Sequence, residues 1–423
     1  MKRVTLVTSE PIRARMGGIG VRYVEMARHL EGGGRRRVEL LSPSAPDVAA
    51  AQIPPGVAYR PFELAALRRV LAESDVVVTQ GQLANDVLLA DPAVPVAVDL
   101  YDPFLVEHFQ YLESLGLDPY RNDHTSWLLQ LSRGDFFLCS SPEQRLYYLG
   151  FLTAVGRVNP ERAAADGDLR GLIEVVPFAL PAERPLYRPL LPAAAPGVRR
   201  LLFGALYDWY DPETLLDALE RLGHFDWRLL LVRHPNPDST PQRRFAEIEA
   251  RCRRSGWWGG RVEVLDWVPA ERRFDLLAEV DALVAPHRPT LETALSLRTR
   301  FVEALAVGCP VVTTEGGALS RALRERSAGW VVPPAAPGAL ADALAEILTG
   351  GEEVERRRER GRELAGAFDA GMALAPLVDF VDHPRRDGTR ERFAFRPATL
   401  APRDPILFRV RRKLSRWRTG PTT

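Results

Sequence analysis

Strand-like and helix-like segments alternate along this chain, stop at a proline-rich stretch, and then begin to alternate again. The opening Arg3-Val4-Thr5-Leu6-Val7-Thr8 reads as a buried strand. A glycine loop at 17–20 follows, then an amphipathic helix carrying Val21, Val24, Met26, Ala27 and Leu30. Further strands are expected at 38–41, 76–79, 94–98 and 136–139, with helical stretches at 103–115, 123–133 and 142–154. Ile173-Glu174-Val175-Val176-Pro177-Phe178 closes this first set. Pro181, Pro185, Pro189, Pro192 and Pro196 then fill a segment without periodicity, the signature of a linker. The alternation restarts at Arg200-Leu201-Leu202-Phe203-Gly204. Strands are expected at 228–232, 261–265, 281–285 and 310–313, and helices near 211–221, 240–254, 270–278, 317–325 and 336–368.

This pattern predicts an α/β protein of two Rossmann-like, parallel-sheet domains facing a central cleft. The expected parts are a first domain over 1–180, a linker over 181–198, a second domain over 199–370, and a return segment with a basic tail over 371–423. A chain of 423 residues is also too long for one ordinary core. Open parallel sheets bind ligands beyond the carboxyl ends of their strands, so the site is expected where both sheets face the cleft.

Composition narrows the function. A net charge of +1 gives no electrostatic case for nucleic acid. No apolar run approaches the roughly 20 residues of a membrane span, and Met1-Lys2-Arg3 runs directly into a strand pattern, unlike a secretory signal. Cys139, Cys252 and Cys309 are odd in number and far apart, which offers neither a disulfide framework nor a zinc site and fits a reducing cytoplasm. The tail Arg409-Val410-Arg411-Arg412-Lys413-Leu414-Ser415-Arg416-Trp417-Arg418 alternates apolar and basic residues. It suits either a solvated end or peripheral contact with an anionic membrane at its inner face.

The most informative segment runs from Ala285 to Val312 and reads as strand, loop, helix, strand. A helix starting near Leu297 would aim free N–H groups and its positive dipole end into the cleft, an anion site. Arg298 and Arg300 fall in that first turn, where a bound anion would offset their misfit with the dipole. Thr299 and Glu303, four apart, share a helix face, and Glu303 is placed to accept hydrogen bonds from ribose hydroxyls.

The stretch Glu303-Ala304-Leu305-Ala306-Val307-Gly308-Cys309-Pro310-Val311-Val312 resembles the donor-binding signature E-A-x-A-x-G-x-P-V-V of the family-four GT-B glycosyltransferases. The likeness in topology extends to about residue 370. The Ser-x-Arg-Thr-Arg insertion at 296–300 and the run Pro376-Leu377-Val378-Asp379-Phe380 with Pro384-Arg385-Arg386 resemble an actinobacterial-style branch. The resemblance implies a GT-B architecture, an acceptor-side first domain, a donor-binding second domain and retention of anomeric configuration. By the same similarity Glu303 binds the donor ribose. The family's first glutamate stands eight residues earlier, where this chain has Leu295, so Glu292 is the candidate to hold donor-sugar hydroxyls. The family also carries an Arg and a Lys after the first strand of the second domain, whereas this loop is Gly204-Ala205-Leu206-Tyr207-Asp208-Trp209-Tyr210. Arg233, Arg298 and Arg300 are the candidates to supply the charge that a departing diphosphate requires.

Other candidates follow from strand-end positions. Gly17 and Gly18 permit close backbone approach to phosphate or sugar, or simply serve a turn. Asp99 and Asp102 follow the expected strand at 94–98, where the family often places a His-Asp. Asp99 is a candidate to orient or deprotonate an acceptor hydroxyl, and Asp102 either does so or caps a helix. Glu143 is an acceptor-side candidate or an ordinary first-turn Glu. Trp267 is a candidate to pack the nucleobase, with His287 or Pro286 across the pocket, or else a core residue. His108, His124 and His234 have no metal-ligand spacing, so no metal or other cofactor is expected. The expected partners are a nucleoside-diphosphate sugar and a saccharide, lipid-linked or natural-product acceptor. Two rivals remain: a sugar-nucleotide epimerase or hydrolase of the same architecture, and a catalytically weak nucleotide-binding subunit.

Overall fold

The computed structural model describes residues 1–184, 186–204, 206–234 and 243–393. Among the described residues, thirteen strands form two all-parallel sheets. The first contains β1 (Arg3–Val7), β2 (Arg37–Ser42), β3 (Ala58–Pro61), β4 (Val76–Thr79), β5 (Val96–Asp99), β6 (Phe136–Cys139) and β7 (Ile173–Val175), in spatial order 3-2-1-4-5-6-7. The second contains β8 (Arg199–Gly204), β9 (Trp227–Val232), β10 (Val262–Leu265), β11 (Ala282–Ala285), β12 (Val311–Thr314) and β13 (Trp330–Val332), in order 10-9-8-11-12-13. The inner strands are apolar on both faces: β4, β6, β11 and β12 are wholly buried because helices cover each side. The chain reverses its direction of travel between β1 and β4, and again between β8 and β11. Those two switch points are where crevices open above a parallel sheet.

Several boundaries differ from the sequence expectation. β3 and β13 are strands that the pattern did not announce: β3 is an edge strand ending in Pro61, and β13 has three residues. The expected helix over 103–115 is broken into Phe104–Glu107, a tight turn at His108–Gln110, and Leu112–Leu115. Its buried residues Leu105, Val106 and Tyr111 do not continue one helical face, while Phe109 and Leu112 point to solvent. The helical region near 336–368 divides at Gly350 and Gly351, whose positive φ angles of 79° and 123° end the helix Pro337–Thr349 before Glu352–Ala365 begins.

No regular element occurs among the described residues between β7 and β8. This segment is pinned to the second lobe: the Leu191 backbone N–H donates to Glu279 at 2.7 Å and that of Arg188 to Asp275 at 3.1 Å. The chain then returns to the first lobe. Phe380 stacks on Phe136 at 4.6 Å, Arg36 grips Asp382 through two bonds of 2.8 and 2.6 Å, and buried Arg157 holds buried Asp387 at 2.6 Å. The basic tail over 409–418 lies outside the described residues. No helix among the described residues is long and apolar enough to cross a membrane.

Candidate active site

The cleft encloses a cavity of about 320 Å³ lined from both lobes. Its floor is made by two helix N-termini that meet head to head. In the first lobe Gly17 caps the helix Gly18–Glu31; in the second Arg298 caps the helix Thr299–Val307. They lie so close that a Cβ on Gly18 would stand 3.1 Å from the Thr299 side chain. Neither helix has an acidic residue in its first turn or a bond from its N-cap side chain; the Gly17 N–H is taken by Glu10 and the Phe301 N–H by the Arg298 carbonyl, while the other first-turn N–H groups and two positive dipole ends converge. Such convergence is unfavourable without an anion and favourable with one.

Cations and aromatic rings surround this floor. Arg300 donates from Nη1 to the carbonyl of Gly204 at the end of β8, and its guanidinium lies 4.9 Å over the Trp267 ring. A positive charge therefore stands beside the loop that lacks its own cation. Trp267 lines the cavity, reaches across the cleft to donate from Nε1 to the Met16 carbonyl at 3.1 Å, and meets His234 edge-on at 5.3 Å. Glu303, one turn into its helix, is buried and accepts from Arg273 Nε at 2.6 Å. Gly17, Gly18, Trp267, Arg298, Thr299, Arg300 and Glu303 thus all line one cavity.

Arg298 is engaged differently from a simple phosphate ligand. It forms a two-pronged pair with Glu292, at 2.6 Å on each side, and Glu292 is 1% exposed. Burial opposes the arginine's charge, but the Glu292 carboxylate outweighs it and holds the guanidinium firmly protonated. Glu292 is locked by this pair and by the Ser296 hydroxyl at 2.7 Å, and it does not line the cavity. Beside it, across the lobes, the Asp102 and Glu107 carboxyls share a hydrogen bond. Burial raises the pKa of both, and for Glu107 the Asp102 and Glu292 charges raise it further, so the pair retains a proton above the usual carboxylate range.

The remaining sequence candidates sit elsewhere. Asp99 is clamped by buried Arg22 through bonds of 2.8 and 3.1 Å, and Arg22 also donates to the carbonyls of Val176 and Pro177. A carboxylate held so is suited to positioning this strand end rather than to taking a proton. Arg233 is exposed, lies 5.2 Å over Phe245 and is not among the cavity residues. His287 stacks on Tyr210 at 4.6 Å behind the cavity wall; burial and the Arg298 charge keep its pKa well below the usual value, so the ring is neutral. Glu143 pairs across the lobes with Arg321 and does not line the cleft.

Sequence reasoning missed several polar residues of the cavity. Arg273 carries a charge to the Glu303 side, and its buried Nη2 has no hydrogen-bond partner among the described residues. The Tyr111 hydroxyl and the Trp209 indole N–H are likewise buried donors without partners. Glu107 completes the carboxyl pair. Tyr111 sits in a segment that reads as a helix and Trp209 in the loop after β8, and only the fold brings their rings to 5.9 Å across the two lobes.

Two parallel-sheet lobes with a ligand cleft between their switch points define the GT-B architecture. Solved structures of that fold superpose on most of the chain. A sucrose-phosphate synthase from Thermosynechococcus elongatus matches with a TM-score of 0.66 and 18% identity, covering 90% of this chain and 99% of that one. Anabaena HepE in complex with UDP and glucose matches with a TM-score of 0.65 and 15% identity, covering 90% and 100%. Residues 198–350 match the family model described as Glycosyl transferases group 1. A phosphatidyl-myo-inositol mannosyltransferase of Mycobacterium leprae is 31% identical over 94 residues, which is 22% of this chain and 25% of that protein's length.

Proposed function

We propose that this protein is a glycosyltransferase that moves a sugar from a nucleoside-diphosphate sugar to an acceptor hydroxyl, with retention of anomeric configuration. The observation that carries the reading is the head-to-head meeting of the Gly18–Glu31 and Thr299–Val307 helices, with Arg300 beside them at the end of β8. The diphosphate would rest against both N-termini, with Arg300 and the dipoles meeting the charge that builds on the leaving oxygen. Glu303, held by Arg273, would receive the ribose hydroxyls, and Trp267 would pack the base. The acceptor hydroxyl would attack from the face that the diphosphate leaves, and the departing phosphate oxygen would help take its proton. This route asks for no divalent ion, since helix ends and arginines supply the positive charge.

The likeness to HepE, whose structure holds UDP and glucose, supports a nucleotide-sugar donor, and the group 1 match over the second lobe supports the donor side. A cytoplasmic setting fits three buried free cysteines, and the basic tail would give contact with the inner membrane face. The test is release of nucleoside diphosphate by the full chain from a panel of nucleotide sugars, with and without polyol acceptors. Release that rises with acceptor and yields a new glycoside supports transfer. Equal release without acceptor would assign a hydrolase or epimerase, and tight nucleotide binding without turnover a binding subunit.

A further inference from the structure

A second cavity, of about 220 Å³, opens from the cleft into the first lobe at its own switch point. It is walled by residues at or just past the ends of β1 (Ser9, Glu10), β4 (Gln80, Gln82) and β5 (Asp99, Asp102), with Asp123 at its back. It shares Glu10, Ile19, Tyr101, Asp102 and Phe104 with the main cavity, so a ligand here would lie against the donor. Among the described residues, four carboxylates line it and no lysine, arginine or histidine does. Two of the four are answered from behind: Arg22 pairs with Asp99, while His108 abuts Asp123. Glu10 and Asp102 are answered more weakly: Glu10 accepts one backbone N–H from Gly17 at 3.0 Å and feels the Arg13 charge, and Asp102 bonds to the Glu107 carboxyl and feels the Arg298 charge. An independent sign of a missing ligand is Gln80. It is 8% exposed, it lines this cavity, and its Oε1 has no hydrogen-bond partner among the described residues. A buried amide oxygen without a donor is costly, and native structures generally satisfy such groups.

Resting on the glycosyltransferase reading, we propose that this cavity is the acceptor subsite and that it takes a single polyhydroxylated ring bearing an ammonium group or no charge, and rejects one bearing phosphate or carboxylate. The walls offer hydrogen-bond acceptors, which hydroxyls and ammonium groups satisfy and anions cannot. Ile19, Tyr101 and Phe104 supply apolar faces for the carbon side of a ring. The volume is below the roughly 300–1,000 Å³ of sites for larger ligands. With no cation in the wall, a phosphate would be buried unpaired beside carboxylates.

The test is calorimetric and saturation-transfer titration of the full chain with glucosamine, glucose and glucose 6-phosphate near neutral pH, alongside UDP, GDP and ADP. Glucosamine is expected to bind more tightly than glucose, and glucose 6-phosphate at least about tenfold more weakly than either. Gln80→Leu is expected to weaken glucosamine and glucose several-fold while leaving nucleotide affinity unchanged. Glu10→Gln is expected to bring glucosamine and glucose towards equal affinity, and it carries the test if the Gln80 variant does not fold. Glucose 6-phosphate binding as well as glucose, or unchanged sugar affinities in both variants, overturns the proposal. So does the failure of every sugar to bind while a nucleotide does. Loss of all nucleotide binding would instead strike the donor reading.

Discussion

At the scale of single residues, two arginines that are neighbours in sequence have separate duties. Arg298 is consumed by Glu292, whereas Arg300 reaches the Gly204 carbonyl and the Trp267 face and remains on the cavity wall. Arg300→Ala is therefore expected to weaken UDP by about 1.5–3 kcal/mol, the scale of a hydrogen bond to a charged group, and uridine by much less. Calorimetry with both ligands measures it, and equal losses would remove Arg300 from the phosphate. The sequence pointed to both arginines because they lie in a helix's first turn after a strand end. It could not separate them, because the partners Glu292 and Gly204 are chosen by side-chain direction and by a contact 96 residues away. The Asp102–Glu107 pair makes a second prediction. Free carboxyls ionise near 4, and the fold raises both, so the folded state binds more protons and its stability falls as pH rises above that value. Glu107→Gln is expected to flatten this decline and to raise Tm at pH 8 by about 2–4 °C, as removal of roughly 1 kcal/mol of repulsion would. Thermal melts between pH 5 and pH 9 read it directly.

At the scale of elements, the account depends on how closely two helix ends approach. Gly18 begins its helix with ordinary helical backbone, so its smallness matters for the 3.1 Å approach to Thr299 and not for its dihedral angles. Gly18→Val is expected to push the lobes apart at this point and to weaken nucleotide binding about tenfold or more, with a melting temperature close to the parent's. Unchanged nucleotide affinity would mean that the two ends do not share a ligand. The regular elements here were legible in advance: β1 reads as a short apolar run, the Gly18–Glu31 helix as an amphipathic stretch after a glycine loop, and the Thr299–Val307 helix as the segment between two strands. The segment 103–115 was not, because its inward residues Leu105, Val106 and Tyr111 obey the cleft wall and not a helical repeat. That misreading is why Glu107 and Tyr111 went unnoticed as site residues.

At the scale of the whole molecule, the chain crosses between lobes twice, and the second crossing is fastened by a buried ion pair. Burial alone would raise the Asp387 carboxyl, but Arg157, Arg162 and the Thr389 backbone N–H bring it down to about 2. An unfolded Asp ionises near 3.9, so this contact contributes about 2–3 kcal/mol that is present above that pH and lost as pH falls through about 2. Asp387→Asn would leave Arg157 buried and unpaired, at a cost of about 3–5 kcal/mol, and is expected to release the return segment. Protease sensitivity after residue 370 and a lower melting temperature would record it, while an unaltered digest would contradict it. The proline break announced two lobes in the sequence, but the acid that locks them lay in a tail with no periodicity.

The measurement that bears most directly on the central claim is a crystal structure of the full chain with a bound nucleoside diphosphate. The diphosphate should lie against the backbone N–H groups at the start of the Thr299–Val307 helix, opposite Gly17 and Gly18, with an Arg300 nitrogen within hydrogen-bond distance. A nucleotide held away from those two helix ends, with Arg300 still turned to Gly204, would contradict it.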